Sequence, residues 1–141
     1  MQIISIINQK GGVGKTTTVI NLAAGLAEQE KKILVVDLDP QGNATTGLGL
    51  SNLDNSSETI YGVLNGTKTI SEVIKKTEFK NLDIITSNVD LSGLEVETAD
   101  DNERAFLLKN KLTAYLNDYR TSYDYILIDC PPSLSLLTVM A

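Results

Sequence analysis

Apolar residues along the chain cluster into short continuous runs, a pattern typical of strands that are buried on both faces of a parallel sheet. Three runs are strong and one is weaker: residues 3–7 (IISII), 33–36 (ILVV) and 125–128 (YILI), with 82–86 (LDIIT) as the weaker one. Polar residues bound each run, and each run is too short for a helix of ordinary length. The pattern therefore predicts three parallel strands and a fourth candidate between the second and the last.

Longer segments with helical spacing separate these runs. Residues 16–29 are apolar almost all round, which predicts a well-buried helix. Residues 101–119 place alanine, leucine and tyrosine at helical intervals, with Asp100 or Asp101 as the expected N-cap. Shorter helices are predicted at residues 59–64 and 70–76.

The alternation of strand and helix predicts an α/β fold. In such a fold a mostly parallel sheet carries helices on both faces and the crossovers are right-handed. Residues 136–141 have the character of a helix that has just begun. We therefore expect residues 1–141 to be the N-terminal part of a single domain whose C-terminal part is absent.

Polar clusters follow the three strong strands directly. They are residues 8–10 (NQK), 37–39 (DLD) and 129–132 (DCPP). Ligands of open α/β sheets bind outside the carboxyl ends of the strands. Three strands that deliver polar residues to the same edge predict a ligand site there.

Composition narrows the chemistry of that site. The chain has 141 residues, with 12 basic and 18 acidic side chains and a formal charge of −6, which argues against this chain alone wrapping nucleic acid. The lack of histidine excludes histidine-based triads and metal sites. A single cysteine, Cys130, excludes an intrachain disulfide and is interpreted as a small buried apolar residue. No apolar stretch reaches membrane-spanning length and the first residues lack signal-peptide features, so a cytoplasmic protein is expected.

The stretch NQKGGVGKTT after the first strand has the features of a phosphate-binding loop. Its glycines allow the backbone to curl around an anion, so that backbone N–H groups and the next helix N-terminus face phosphate oxygens. Lys15 is expected to neutralise the β- and γ-phosphates, Thr16 to ligate Mg²⁺ and Thr17 to contact the α-phosphate. The strict pattern requires glycine where this chain has Gln9, and an ordinary glycine-rich turn is the alternative. The loop residues expected to bind nucleotide are Gly11, Gly12, Val13, Gly14, Lys15, Thr16 and Thr17.

Aspartates supply the expected magnesium and catalytic groups. Asp37 and Asp39 are predicted to share a face of the second strand. Carboxylates beside a triphosphate hold Mg²⁺, usually through water, or orient the attacking water. Asp129, at the end of the last strand, fits the aspartate that holds Mg²⁺ through a bound water. The expected metal residues are thus Thr16, Asp39 and Asp129, and acids that merely end strands are the alternative.

Three stretches of the chain resemble one family. KGGVGKTT, with its leading lysine, is similar to the deviant Walker A motif of the ParA/MinD ATPases, which have the P-loop NTPase fold. DLDPQGN and YDYILIDCPPSLSLLT favour the ParA/Soj branch, which partitions chromosomes and plasmids. The resemblance implies that Lys10 crosses an ATP-bound dimer to the second nucleotide and that Asp39, in switch I, is critical for hydrolysis. Together with Lys15, these are the expected catalytic residues, and Lys10 also joins the nucleotide-binding set.

The resemblance further implies a function and partners. The function is that of an ATP-binding and slowly ATP-hydrolysing switch for DNA segregation, with Mg²⁺. The expected partners are a second copy in the ATP state, a ParB-type protein and nonspecific DNA bound mainly by the missing half, without a membrane. The expected location is the nucleoid in the cytoplasm. The alternatives are a MinD-like membrane-associated regulator, a metabolic enzyme of the same fold, and a binding module or nucleotide-incompetent fragment.

Overall fold

One sheet organises the computed structural model, which describes residues 1–7, 12, 14–50, 56–119, 123–133 and 135–141. Its strands are β1 (Gln2–Ile6), β2 (Ile33–Asp37), β3 (Ile74–Lys76), β4 (Leu82–Ile85) and β5 (Tyr125–Asp129). The order across the sheet is β1-β5-β2-β4-β3. All neighbours are parallel except β3, which runs antiparallel to β4. The mostly parallel α/β sheet predicted from the sequence is confirmed.

The register of the sheet aligns the carboxyl ends of the central strands. Asp129 of β5 lies opposite Ile6 of β1 on one side and opposite Asp37 of β2 on the other. Because β5 lies between the two strands, the chain segments that follow β1, β2 and β5 all leave the same edge of the sheet. This edge, defined by Ile6, Asp37 and Asp129, is called the carboxyl edge below.

Seven α-helices lie among the described residues. They are α1 (Lys15–Glu28), α2 (Asn43–Gly47), α3 (Ile60–Leu64), α4 (Ile70–Val73), α5 (Leu94–Glu97), α6 (Leu107–Tyr119) and α7 (Leu136–Met140). Short 3₁₀ turns occur at Ser56–Glu58, Val89–Gly93 and Arg104–Phe106. Within the described ranges, none of the helices is long and apolar enough to cross a membrane.

The helices cover both faces of the sheet, as predicted. Alternate residues of a strand point to opposite faces. On β2, Ile33 and Val35 pack with α1 and α2, whereas Leu34 and Val36 pack with α3, α4, α6 and α7. The sheet thus separates two apolar cores.

Two predicted elements need correction. The helix predicted at residues 70–76 ends at Val73, and the chain continues as the edge strand β3. This happens because Ile74 adopts an extended backbone (φ −66°, ψ 131°) and pairs opposite Ile85. In the helix predicted at residues 101–119, the first turn is instead the 3₁₀ segment Arg104–Phe106, and α6 follows it.

Two predictions of burial were also too strong. The first strand lies at the edge of the sheet among the described residues, and Ile3 is 45% exposed. Helix α1 buries only one side, through Val19, Ala23 and Ala27, while Leu22 is 37% exposed.

Candidate functional site

The described part of the phosphate loop has the backbone that its glycines predict. Gly12 has φ 74° and Gly14 has φ 81°, in the left-handed region that disfavours side chains. Gly14 is the N-cap of α1, and its carbonyl accepts the backbone N–H of Thr18 at 2.8 Å. The loop therefore turns directly into the helix N-terminus, the arrangement that suits an anion. Gln9, Lys10, Gly11 and Val13 lie outside the described residues.

The first turn of α1 contacts the end of β5. The Thr16 hydroxyl donates to Asp129 Oδ2 at 2.8 Å, and Lys15 Nζ lies 3.6 Å from Asp129 Oδ1. The hydrogen bond joins residues that are 113 positions apart in the chain. Lys15, Thr16 and Asp129, which the sequence predicts for nucleotide and Mg²⁺, are thus in one place.

Asp129 is poised to interact with a cation. The residue is fully buried, yet its Oδ1 accepts no hydrogen bond from the described residues. Burial raises the pKa of Asp129, while the Thr16 hydroxyl and the Lys15 ammonium favour the charged carboxylate. The Oδ1 oxygen has the Lys15 ammonium at 3.6 Å but accepts no hydrogen bond from the described residues, and a threonine hydroxyl lies beside it. Such a donor set fits hydrated Mg²⁺. The residues present therefore fit the ion, and Thr16 and Asp129 would hold it.

The magnesium set is not built from carboxylates alone. Among the residues that the structure describes, no group of three acidic or cysteine side chains is arranged to hold a metal. Asp39, the third expected metal residue, lies near enough for its charge to raise the pKa of Asp129. No contact between the two carboxylates is seen, so a metal role for Asp39 stays a prediction.

Asp37 and Asp39 occupy different environments. β2 ends at Asp37, so Asp39 lies in the turn beyond the strand and the predicted shared strand face is wrong. Asp37 Oδ1 accepts the backbone N–H of Asp39 at 3.1 Å, and Asp39 Oδ1 accepts the backbone N–H of Gln41 at 2.9 Å. Two successive aspartate turns therefore shape the segment after β2.

The sequence-based predictions missed Thr45 as a partner of this segment. Its hydroxyl and its backbone N–H both donate to Asp37 Oδ2, at 2.7 and 2.9 Å. The same hydroxyl accepts the backbone N–H of Ser87 at 3.0 Å. Burial raises the pKa of Asp37 to about 7, against the pull of these donors. No local signal marks the contact, because Ser87 is 42 residues away in the chain.

Cys130 is not equipped as a nucleophile. It is buried, and burial together with the charge of Asp129 raises the pKa of its thiol to about 12. Its thiol contacts only the carbonyl of Ile128, at 3.9 Å, among the hydrogen bonds between described residues. The interpretation of Cys130 as a small buried apolar residue is confirmed.

Comparison with known proteins agrees with this site. A family model described as an AAA domain matches residues 1–141. The chain is 50% identical over 140 residues to the chromosome partitioning protein ParA of Myxococcus xanthus, covering 99% of this chain and 48% of that protein. It is 48% identical over 140 residues to the sporulation initiation inhibitor protein Soj of Bacillus subtilis, covering 99% of this chain and 53% of that protein. The chain belongs to the ParA/Soj family.

Solved structures support the same fold. The crystal structure of cobyrinic acid a,c-diamide synthase from Mycobacterium smegmatis, with a bound ATP analog and magnesium, has a TM-score of 0.90 and 37% identity. The match covers 99% of this chain and 55% of that one. The fold is that of the P-loop NTPases, and the chain spans about half the length of the curated relatives it matches.

Proposed function

We propose that the carboxyl edge of this chain binds Mg²⁺–ATP. The chain would act as part of a molecular switch for DNA segregation that hydrolyses ATP slowly. The observation that carries the proposal is the contact of Lys15 and Thr16 with Asp129, whose buried Oδ1 accepts no hydrogen bond from the described residues. The names of the curated relatives support segregation as the process, since they are chromosome partitioning proteins and Soj. The synthase named among the solved structures is less similar in sequence, at 37% identity.

Each residue of the site has a role in this proposal. The ammonium of Lys15 would leave Asp129 for the β- and γ-phosphates, since the polyanion offers more negative charge than one carboxylate. The Thr16 hydroxyl and the Asp129 carboxylate would hold Mg²⁺, the latter through water. When bound, Mg²⁺ supplies charge neutralisation between the phosphate groups.

Asp39 would orient the attacking water. The water oxygen bonds to the γ-phosphorus while the bond from that phosphorus to the bridging oxygen of ADP breaks. The products are ADP and inorganic phosphate, and the water proton passes to phosphate or solvent. Lys10 would act on the nucleotide of a second copy, which makes dimerisation depend on ATP.

The wider partners belong to the same proposal. The ATP-bound dimer would bind nonspecific DNA, mainly through residues beyond this chain, and a ParB-type protein would stimulate hydrolysis on the nucleoid. A MinD-like regulator at the membrane and a nucleotide-incompetent fragment are the alternatives. We favour a role in DNA partition over the MinD-like alternative because of the DLDPQGN stretch and the names of the relatives.

Sedimentation velocity tests the proposal directly. The chain is run with Mg²⁺–ADP and with Mg²⁺–ATP while protein and nucleotide absorbance are followed together. We expect nucleotide to cosediment in both cases and a dimer to form only with ATP. Lys10→Ala should abolish the dimer and leave binding intact. Lys80→Ala is the matched control, because Lys80 precedes β4 at the opposite edge of the sheet.

Each alternative has its own outcome in this experiment. Absence of nucleotide from the protein boundary would identify a nucleotide-incompetent fragment. A dimer that survives Lys10→Ala would refute the role of that lysine. Cosedimentation with anionic lipid vesicles only in the presence of ATP would favour the MinD-like alternative.

A further inference from the structure

The side chain of Thr45 makes two hydrogen bonds beside the candidate site. It is fully buried on α2, and its hydroxyl is used both as a donor and as an acceptor. The donor bond goes to Asp37 Oδ2 at the end of β2, and the accepted bond comes from the Ser87 N–H after β4. One hydroxyl thus ties together α2 and the carboxyl ends of two neighbouring strands.

Asp37 links Thr45 to Asp39 through hydrogen bonds to its two carboxylate oxygens. One carboxylate oxygen of Asp37 faces Thr45, and the other accepts the backbone N–H of Asp39. In the turn that follows, the Asp39 carboxylate accepts a hydrogen bond from the Gln41 N–H. The Asp39 carbonyl accepts one from the Gly42 N–H at 2.9 Å. The position of Asp39 therefore depends on a chain of contacts that begins at Thr45.

We propose that Thr45 is a positioning residue for ATP hydrolysis, acting through Asp37 to fix the turn that carries Asp39. The proposal rests on the proposed function, because it concerns the water-orienting role of Asp39. Asp39 is buried, and hydrogen bonds to the Asp37 and Asp39 carboxylates shape the turn around it. Small displacements of a group that orients a reactant cost large factors in rate.

Burial explains why the hydroxyl itself is needed. Both partners of the Thr45 hydroxyl lie where water does not replace a lost bond, since Asp37 and Ser87 are fully buried. Without the hydroxyl, Asp37 loses one of its three donors and the Ser87 N–H loses its acceptor. On that side the Asp37 carboxylate is then held only by the Thr45 N–H, so its orientation, and with it that of the Asp39 N–H, is less restrained.

Two substitutions of Thr45 test the effect of its hydroxyl separately from the effect of its side-chain shape. Thr45→Val keeps the branched shape and removes the hydroxyl, whereas Thr45→Ser keeps the hydroxyl. Thr46→Val is the matched control, because Thr46 is the next residue of α2 and is exposed. We expect Thr45→Val to lower kcat for Mg²⁺–ATP by about tenfold or more, with KM and nucleotide affinity changed by less than about twofold. Thr45→Ser and Thr46→Val should retain kcat within about threefold of the wild type.

Amide hydrogen exchange reports on the turn itself, whereas the loss of kcat at unchanged KM separates a positioning role from a general loss of structure. We expect the Asp39 amide to exchange faster in Thr45→Val, while the amides of β2 and β5 keep their wild-type protection. Wild-type kcat in Thr45→Val, or equal losses in Thr45→Val and Thr45→Ser, would overturn the proposal. If Thr45→Val fails to fold, Thr45→Cys carries the same test, because a thiol is only a weak donor.

The wild-type protein distinguishes failure of this inference from failure of the proposed function. If the wild type neither binds nor hydrolyses ATP, the proposed function fails, and the positioning role fails with it. If the wild type is active and Thr45→Val is equally active, only the positioning role fails.

Discussion

Burial sets the properties of individual polar residues at the carboxyl edge. Asp37 and Asp129 are both fully buried, and burial raises the pKa of each. Their neighbours differ: Asp37 accepts three hydrogen bonds from the chain, whereas one oxygen of Asp129 accepts none from the described residues and faces the Lys15 ammonium at 3.6 Å. The first is thus suited to hold the backbone, and the second to meet a ligand.

Cys130 provides a test of burial at the residue scale. Its pKa is raised from 9.0 to about 12, so the folded state disfavours the thiolate. The thiolate is the reactive form, and its fraction at pH 8 falls by roughly 1000-fold for this change. We therefore expect iodoacetamide to label the native protein at pH 8 very slowly, and the urea-unfolded protein at the normal thiol rate.

The sign of the linked stability follows from the same pKa. Because the folded pKa lies above the unfolded one, Cys130 contributes stability that is present below pH 9 and lost as pH rises towards 12. Cys130→Ala should label at neither condition and serves as the control for reagent specificity. Fast labelling of the native wild type would show that the thiol is open to solvent.

At the scale of elements, two helical glycines differ in whether close packing requires them. Gly25 lies inside α1, where an added Cβ would meet nothing within 4 Å. Gly62 lies in α3, where an added Cβ would clash with the backbone carbonyl of Ser57. The second glycine is thus required by the close approach of the preceding turn to the helix, and the first is not.

Alanine substitutions at these two positions should change stability in opposite directions. Gly25→Ala is expected to raise the free energy of unfolding by about 0.5–1 kcal/mol through helix propensity. Gly62→Ala should lower it by about 1–3 kcal/mol through overpacking. Urea unfolding followed by circular dichroism measures both. Stabilisation by Gly62→Ala would mean that the turn at Ser57 does not contact α3 in solution.

At the scale of the whole molecule, the sheet converts ligand binding at one edge into global stability. β5 is the link, since it pairs with β1 and β2 and carries Asp129. Both apolar cores include residues of β2 and β5. A ligand that bridges α1 and β5 therefore restrains elements from both cores.

Mg²⁺–ATP should accordingly stabilise the molecule against heat. Free ligand at 100 times its dissociation constant adds about 2.7 kcal/mol when it binds only the folded state. EDTA should remove the Mg²⁺-dependent part of the rise in Tm. Asp129→Asn should lose the same part, whereas Asp118→Asn, on the exposed surface of α6, should keep it. An unchanged Tm rise in EDTA would contradict a magnesium role for Asp129.

Local sequence patterns predicted most of the strands and helices and the residue types of the candidate site. Short apolar runs predicted four of the strands, and for β2, β4 and β5 the run reflects burial on both faces. The edge strand β3 was missed, because Ile74 continues the apolar spacing of the preceding helix and only pairing with β4 extends it. The exposed side of α1 was missed, because composition does not tell which neighbours a helix has.

The sequence by itself determined the residue types of the site: glycines at left-handed positions, then lysine and threonine at a helix start, and aspartates at strand ends. Spacing within a few residues suffices for these, because turns and helix starts are local. Only the tertiary structure decided that Thr16 meets Asp129 and that Thr45 meets Asp37 and Ser87. Those contacts depend on strand order and register, which arise from the packing of the whole sheet between its two layers of helices.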